Sequence, residues 1–396
     1  IVYYSARHVP ALTCSKTIKI GGRDLKRLSP GGKIIRVRTD INWTLLVSVS
    51  FLLAVGLITL YSIEEIQIAK LGSSDVSFKS QLIYSLAGII AGIIGYNLNP
   101  RFLRTTGPFI FYFSTALLIA TYLFGTSVKG GVRWLYVGGI SIQPSDITRL
   151  AIIIYIGSIF SSNKVGWNAV TLKVFLWIIA VTGLILFQPD YGSAMITFLV
   201  SLMMLFVLDM PLSMFLPGFA VSSYLGYRLI FEASYREERF LAFLDPWRDP
   251  LGSGYQYIQA LKSFSAGGLF GAGLGRGRQK LNILPEVQTD LILAHIGEEL
   301  GFIMTIAIIF LYALICLNMF KISRDCPIKF SRIVVLGFAI SFSIQAIINM
   351  GGELKLLPLT GIPLPLLSSG GTSRIVSLFM IGYSLGASRY RLEETG

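Results

Sequence analysis

Residues 290–317 read DLILAHIGEELGFIMTIAIIFLYALICL. From Gly301 onward this stretch is apolar, and the whole run exceeds the roughly 20 residues that a helix needs to cross the hydrocarbon of a bilayer. Nine further apolar runs of about that length recur, so the sequence predicts an all-α polytopic membrane protein of ten helices. The predicted span cores are residues 43–61, 80–97, 107–124, 146–161, 170–187, 192–208, 212–231, 290–317, 333–350 and 371–388.

The composition supports the membrane class. Of the 396 residues, 53% are hydrophobic and only 14% are charged, whereas soluble domains carry about 25% charged residues. Cys14, Cys316 and Cys326 are too few and too scattered for a disulfide framework or a zinc knuckle. The chain is therefore expected to rely on helix packing within a bilayer.

The net charge of +13 is concentrated before the first span. Such a basic segment holds its end of the chain in the cytoplasm, and no folded basic module favours nucleic-acid binding instead. The loops with Arg101, Arg104 and Lys164 then fall on the same side. We expect three regions: a basic cytoplasmic tail over residues 1–42, a membrane domain over 43–391 and a cytoplasmic end over 392–396.

The outer loops hold most of the glycines and prolines. The large outer loop, residues 232–289, lies between the seventh and eighth helices, and shorter ones cover 125–145 and 351–370. The prolines of 351–370 forbid a regular helix, yet the segment is apolar enough for membrane depth. We expect it to re-enter or cover the bundle, with the functional surface on the outer face.

Asp290 begins the eighth span and is the principal candidate for chemistry. A carboxylate at a helix start can simply cap the helix, or it can act as a general base beside cations. Arg276, Arg278 and Lys280 lie just before it in a glycine-rich loop and suit a phosphate or pyrophosphate. Interfacial snorkelling of these cations is the alternative.

Further polar residues lie near predicted helix ends. Lys129 and Arg133 are placed to touch an anionic ligand, while Asp146 can pair with Arg149 one turn away. Asp190 is expected to cap the next helix.

The eighth span contains acidic residues of its own. Glu298 and Glu299 are expected to be buried polar anchors rather than catalytic groups or, with His295, metal ligands.

Several of these motifs together resemble the SEDS family of bacterial peptidoglycan glycosyltransferases. The similarity covers nearly all of residues 43–391 and is strongest to the division member FtsW, with the elongation member RodA second. The stretches that carry it are Gln143-Pro144-Ser145, Gln188-Pro189-Asp190-Tyr191-Gly192, Phe243-Leu244-Asp245-Pro246-Trp247, residues 267–277, Leu284-Pro285-Glu286, Thr289-Asp290, Gly297-Glu298-Glu299-Leu300-Gly301 and Pro363-Leu364-Pro365.

The resemblance implies an enzyme that polymerises lipid II, the undecaprenyl-pyrophosphate-linked disaccharide pentapeptide, outside the cytoplasmic membrane. It implies both termini in the cytoplasm, action at the division septum, a class B penicillin-binding transpeptidase as partner, and other division proteins nearby. Asp290 matches the family's essential aspartate. The expected substrate contacts are Arg276, Arg278, Lys280, Glu286, Lys129, Arg133, Gln143 and Ser145, supported by Glu298, Glu299, Asp146 and Asp190.

The expected mechanism is a single inverting displacement. Asp290 takes the proton of the acceptor C4 hydroxyl, which attacks the anomeric carbon of the donor; general-base help of this kind contributes roughly 10²–10⁴-fold. The cations or a divalent ion, Mg²⁺ or Mn²⁺, neutralise the departing pyrophosphate. A lipid II transporter, an elongation-type polymerase and a non-catalytic scaffold are the alternatives.

Overall fold

The computed structural model describes residues 17–20, 23–27, 34–37, 41–71, 77–128, 131–137, 140–220, 234–277 and 288–393. Most of these residues are helical. The helices are α1 Trp43–Leu71, α2 Phe78–Asn97, α3 Pro100–Phe124, α4 Pro144–Phe160, α5 Ala169–Phe187, α6 Tyr191–Val207, α7 212–220, α8 Ser234–Leu244, α9 Tyr255–Gly267, α10 Ile292–Asp325, α11 Lys329–Glu353 and α12 Gly371–Ala387.

The predicted all-α membrane fold is confirmed. Within the described residues, six helices (α1, α2, α3, α5, α10 and α11) are long and apolar enough to cross a membrane by length and composition, and α6 is a shorter apolar helix. The total of ten spans stays a prediction.

Helix bounds differ from the predicted spans mainly at the polar ends. Helix α10 begins at Ile292 and continues to Asp325, eight residues past the predicted end at 317. Helix α11 begins at Lys329 rather than at 333. Hydropathy identifies only the part of a helix that lies in hydrocarbon, whereas the backbone hydrogen bonds continue through charged residues such as Arg324.

Contacts between helix ends define two ends of the bundle. At one end, which we call the site end because Asp290 lies there, the amide of Asn349 donates to the carbonyl of Asp290 at 3.4 Å. Ala294 N donates to the Glu353 carboxylate at 2.7 Å at the same end. At the opposite end, which we call the basic end, Asn42 beside α1 donates to Asn318 of α10 at 3.2 Å. The bundle is therefore built from helices that run alternately between these two ends.

Glycines allow close contact between α2 and α12. A Cβ on Gly382 would stand 2.1 Å from the carbonyl oxygen of Gly92, and one on Gly386 would stand 2.4 Å from that of Tyr96. Small residues let helix backbones approach in this way within membranes. The Arg389 guanidinium lies 4.2 Å from the ring centroid of Tyr96 and donates to its carbonyl, which closes the basic end of this pair.

Strands near the two ends of the chain form an antiparallel sheet of four strands. They are β1 Thr17–Ile20, β2 Arg23–Arg27, β3 Ile34–Val37 and β7 Tyr390–Glu393, in the order β1-β2-β3-β7. The region predicted only as a basic tail therefore contains three strands, and the predicted boundary at residue 391 cuts through β7. These strands are only four or five residues long, and RDLKR of β2 and IIRV of β3 do not alternate apolar with charged residues, so the sequence pattern does not predict them.

A second sheet lies at the site end. Strands β4 Thr126–Val128, β5 Gly131–Val137 and β6 Ile140–Ile142 pair antiparallel in sequence order. Ser141 N of β6 donates to the hydroxyl of Tyr84 on α2 at 3.1 Å. This sheet brings β5 and the start of α4 beside the beginning of α12.

Candidate active site

Asp290 lies in a turn over residues 288–290, immediately before α10, and is half-buried. The N-cap of α10 is Leu291, which makes no side-chain cap bond. The predicted helix start at 290 is therefore wrong by two residues, and Asp290 precedes the cap. A Cβ placed on Gly361 would lie 3.5 Å from Asp290 Oδ2, so this carboxylate faces the proline-rich segment that follows α11.

That segment, residues 354–370, is non-helical and packs inside the bundle. The side chains of Leu364, Leu366 and Leu367 are at most 1% exposed, and Tyr312 of α10 donates a hydrogen bond to the carbonyl of Pro365. A Cβ on Gly56 of α1 would meet the Leu366 carbonyl at 2.8 Å. The segment enters the bundle, as its prolines and apolar residues predict, and we call it the re-entrant segment.

The re-entrant segment fixes the turn that carries Asp290. The hydroxyl of Ser368 donates to the carbonyl of Thr289 at 2.5 Å, and Ser369 N donates to the carbonyl of Gln288 at 2.8 Å. The Ser368 hydroxyl also accepts from Leu364 N at 2.8 Å. Two adjacent backbone carbonyls before Asp290 are thus held by a segment some 80 residues away in sequence.

Arg374 supports the re-entrant segment from α12. Its side chain donates through Nη2 to the carbonyl of Ser368 at 2.9 Å and through Nη1 to the hydroxyl of Ser85 on α2 at 2.9 Å. The residue is only 1% exposed. An ionisable group inside an apolar span is costly and usually has a function. The sequence signal that points to Arg374 is therefore its position within the apolar run 371–388.

The glycine-rich loop, residues 267–277, packs on α10 rather than standing free. Gly301 interrupts α10 with φ 81° and ψ −179°, a conformation that favours glycine. The carbonyls of Glu298 and Glu299 then accept from Ala272 N at 2.9 Å and Gly273 N at 3.0 Å. A Cβ on Gly301 would lie 2.3 Å from the backbone of the loop.

The Glu299 carboxylate also holds this loop. Its Oε1 accepts from Gly275 N at 3.0 Å and Gly277 N at 3.3 Å, and its Oε2 lies 3.4 Å from Nε2 of His295. Glu298 is buried as well, and a Cβ on Gly277 would stand 3.2 Å from its Oε2. The glycines therefore allow close packing against two buried acids. The backbone amides of Ala272, Gly273, Gly275 and Gly277 already donate to α10, so they are not available to bind a phosphate.

Arg276 is the one predicted cation of this loop within the described residues, and its side chain is exposed. The loop meets α10 at Glu298 and Glu299, eight to nine residues beyond Asp290, which corresponds to about 12 Å along a helix axis. Other predicted contacts lie outside the described residues: Lys129, Arg278, Lys280 and Glu286.

The predicted ligand contacts Arg133, Gln143 and Ser145 converge on Asp190. Gln143 Nε2 and the Ser145 hydroxyl donate to Asp190 Oδ2 at 3.1 and 3.2 Å, and Arg133 Nη1 lies 3.9 Å from Oδ1. Asp190 is 5% exposed and also caps α6 by accepting from Ser193 N, as predicted. A buried carboxylate requires such donors, so these polar groups are committed to Asp190.

Asp146 belongs to a neighbouring buried pair. Its carboxylate accepts from Arg149 Nη2 at 2.8 Å, as the three-residue spacing predicts. The Asp190 cluster is linked to α12, because Gln143 N donates to the hydroxyl of Thr372 at 3.0 Å. The Asp190 cluster therefore meets α12 at Thr372, and Arg374 lies only two residues further along the same end of that helix. Sequence motifs alone did not associate Asp190 with Arg374.

Known proteins resemble the chain over nearly its whole length. A family model that covers FtsW, RodA and SpoVE, described as cell cycle protein, matches residues 43–392. The probable peptidoglycan glycosyltransferase FtsW of Trichlorobacter lovleyi is 35% identical over 357 residues, which cover 88% of this chain and 93% of that protein. Stage V sporulation protein E of Bacillus subtilis is 34% identical and covers 89% and 98%.

Solved structures share the fold. A structure described as the structural coordination of polymerization and crosslinking by a peptidoglycan synthase complex matches with a TM-score of 0.73 at 25% identity, over 89% of this chain and 98% of the other. The rod shape determining protein RodA of Thermus thermophilus matches with a TM-score of 0.65 at 23% identity, over 89% and 97%. The chain is therefore a multi-pass membrane protein that belongs to the FtsW, RodA and SpoVE family of cell cycle proteins.

Proposed function

We propose that this chain is a peptidoglycan glycosyltransferase that polymerises lipid II at its site end, with Asp290 as the general base. The observation that carries the proposal is the fixed turn 288–290. Hydrogen bonds from Ser368 and Ser369 hold its backbone while the Asp290 side chain remains half-buried beside Gly361. A base held in this way loses little entropy when the acceptor sugar binds.

The charge of Arg276 and its depth below the site end both suit a lipid-linked diphosphate. Such a donor would enter with its sugar toward the site end and its lipid toward the hydrocarbon. Its diphosphate would then lie deeper than the reacting hydroxyl, and Arg276 lies in the loop that contacts α10 about 12 Å beyond Asp290. A guanidinium pairs well with phosphate oxygens.

The proposed reaction is one displacement. The Asp290 carboxylate accepts the proton of the C4 hydroxyl of the acceptor sugar, and that oxygen forms a bond to the anomeric carbon of the donor. The bond from this carbon to the diphosphate breaks at the same time, which inverts the anomeric configuration. Arg276 stabilises the charge that develops on the leaving diphosphate.

The divalent-cation expectation stays a prediction. No group of three or more histidine, cysteine, aspartate or glutamate side chains in the described part of the chain is arranged to hold a metal. His295 and Glu299 form a buried pair at 3.4 Å, and Glu299 is already bonded to two loop amides. No step of the proposed reaction depends on a metal.

The test is polymerisation of lipid II by purified Asp290→Asn protein together with its transpeptidase. The variant should lose at least about 100-fold in rate, the lower range of general-base catalysis. Asp249→Asn is the matched control, since Asp249 is an exposed carboxylate of the same outer region. Near-normal polymer from Asp290→Asn, at an unchanged unfolding temperature, would refute the assignment.

We further propose that the protein lies in the bacterial cytoplasmic membrane with its site end outward, acts at the division septum and pairs with a class B penicillin-binding transpeptidase. The basic loops, together with strands β1 to β3 and β7, lie at the opposite end and support this orientation. The similarity to a structure described as a peptidoglycan synthase complex that coordinates polymerization and crosslinking supports the partner. A tagged protein distributed along the side wall rather than at midcell would contradict the division role.

A further inference from the structure

A cavity opens at the basic end, far from Asp290. It has a volume of about 360 Å³ and lies between the first turns of α3 and the last turn of α4. The residues that line it are Arg101, Arg104, Thr105, Pro108, Ser158 and Ile159.

Pro108 determines the wall of this cavity. A proline inside a helix has no N–H, so the carbonyl of Arg104 lacks its ordinary helical donor. The hydroxyl of Ser158 on α4 supplies a hydrogen bond to that carbonyl at 3.0 Å. Gly107 permits this approach, since its Cβ would stand 2.2 Å from the Ser158 hydroxyl oxygen. The Arg104 carbonyl and the Ser158 hydroxyl are thereby paired, and the Thr105 hydroxyl donates to carbonyls of its own helix, which leaves an interior suited to hydrocarbon.

The rim of the cavity is cationic. Arg101 and Arg104 are exposed there, and Arg104 acts electrostatically on Lys329 of α11 together with Lys164 and Arg332. The connections from α2 to α3, from α4 to α5 and from α10 to α11 thus bring like charges together at the basic end. Like charges repel at this range, so an anion bound among them is stabilised.

An apolar groove beneath a cationic rim matches one class of molecule. We infer that this cavity binds an anionic phospholipid, with its phosphate against Arg101 and Arg104 and part of an acyl chain between α3 and α4. The neighbouring outward residues Phe102 and Phe109 of α3 are 59% and 73% exposed, as expected of a helix face in contact with lipid. The site is independent of the proposed function, because it lies at the end of the bundle opposite Asp290.

The test is lipid retention by the full chain, purified in detergent and measured by native mass spectrometry. Phosphatidylglycerol and phosphatidylcholine with identical acyl chains are the probes. The double variant Arg101→Gln/Arg104→Gln should retain about 30-fold less phosphatidylglycerol, the effect of two basic contacts at a membrane surface. The control Lys321→Gln/Arg324→Gln removes the same charge from exposed positions of α10 at the same end and should stay within about twofold of wild type.

A second variant tests the apolar groove without a change of charge. Ile159→Trp fills the cavity and should also lower phosphatidylglycerol retention, while the unfolding temperature measured without lipid shows that the bundle is intact. Equal losses in both charge variants would mean diffuse attraction and would overturn the proposal. Equal retention of the two lipids, or uptake of inorganic phosphate by the delipidated protein in place of the lipid, would overturn it as well.

Discussion

Replacement of Gly301 by alanine tests whether the glycine-rich loop depends on the kink in α10. The backbone at Gly301 has φ 81° and ψ −179°, where a side chain is strained. A Cβ there would meet Gly271 N at 2.3 Å, Phe270 C at 2.5 Å and Leu269 O at 2.6 Å. These are backbone atoms, so no side-chain rotation can relieve the overlap, and the loop must move away from α10.

The expected loss of folding stability follows from that movement. Backbone strain of this kind costs about 1–3 kcal/mol. Four backbone hydrogen bonds join the loop to α10: Ala272 N and Gly273 N donate to α10, and Phe302 N and Ile303 N donate to the loop. Each contributes about 0.5–1.5 kcal/mol. Together with the strain these give roughly 3–9 kcal/mol, a large share of the stability of an ordinary protein. Because Arg276 moves with the loop, polymerisation should fall along with stability.

The assay compares Gly301→Ala with Gly183→Ala. Gly183 lies in α5 with no atom within 4 Å of its Cβ position, so alanine there should leave the protein as stable as wild type. Both variants are measured for unfolding temperature in detergent and for lipid II polymerisation rate. If Gly301→Ala behaves like Gly183→Ala in both measurements, the loop does not depend on the kink and the reasoning is refuted.

Three further perturbations test other contacts. Glu299→Leu should lower the unfolding temperature, because the buried Gly277 amide loses its acceptor at about 1–3 kcal/mol and the part-buried Gly275 amide loses its acceptor at a smaller cost, whereas Glu299→Gln should stay near wild type; equal behaviour of the two would contradict this. Ser368→Ala removes the hydrogen bond to the carbonyl of Thr289 and should reduce the polymerisation rate more than the unfolding temperature; an unchanged rate would count against the fixed turn. The N–H of Ser253 holds the pKa of the exposed Asp249 carboxyl below its usual value. Amide-exchange protection at Ser253 should therefore persist above about pH 4 and be lost as the pH falls through that lowered pKa; constant protection down to pH 2 would contradict this.

Hydropathy predicted where helices lie because crossing hydrocarbon requires a certain apolar length. Residues 80–97 and 371–388 were predicted, and α2 and α12 occupy Phe78–Asn97 and Gly371–Ala387. Charge and proline likewise predicted the basic end and the re-entrant segment. These features depend on local composition, which a sequence displays directly.

Pairing across long separations was not predictable in the same way. Arg374 donates to the carbonyl of Gln81, 293 positions earlier in the sequence. No local sequence pattern predicts that contact. The glycine-rich loop was expected to present its cations to a phosphate, whereas its glycines give room for α10. Glycine permits either kind of approach, and only the tertiary arrangement determines which one occurs.

The sheet at the basic end has a consequence for biosynthesis. Among the described elements, strands β1 to β3 precede every helix, but β7, the neighbour of β3, follows all of them. During translation the earlier strands must wait, with one edge of β3 unpaired, until α12 has been inserted. Formation of this sheet is therefore a late event in the maturation of the protein, and a truncation before Tyr390 would leave that edge permanently open to other chains.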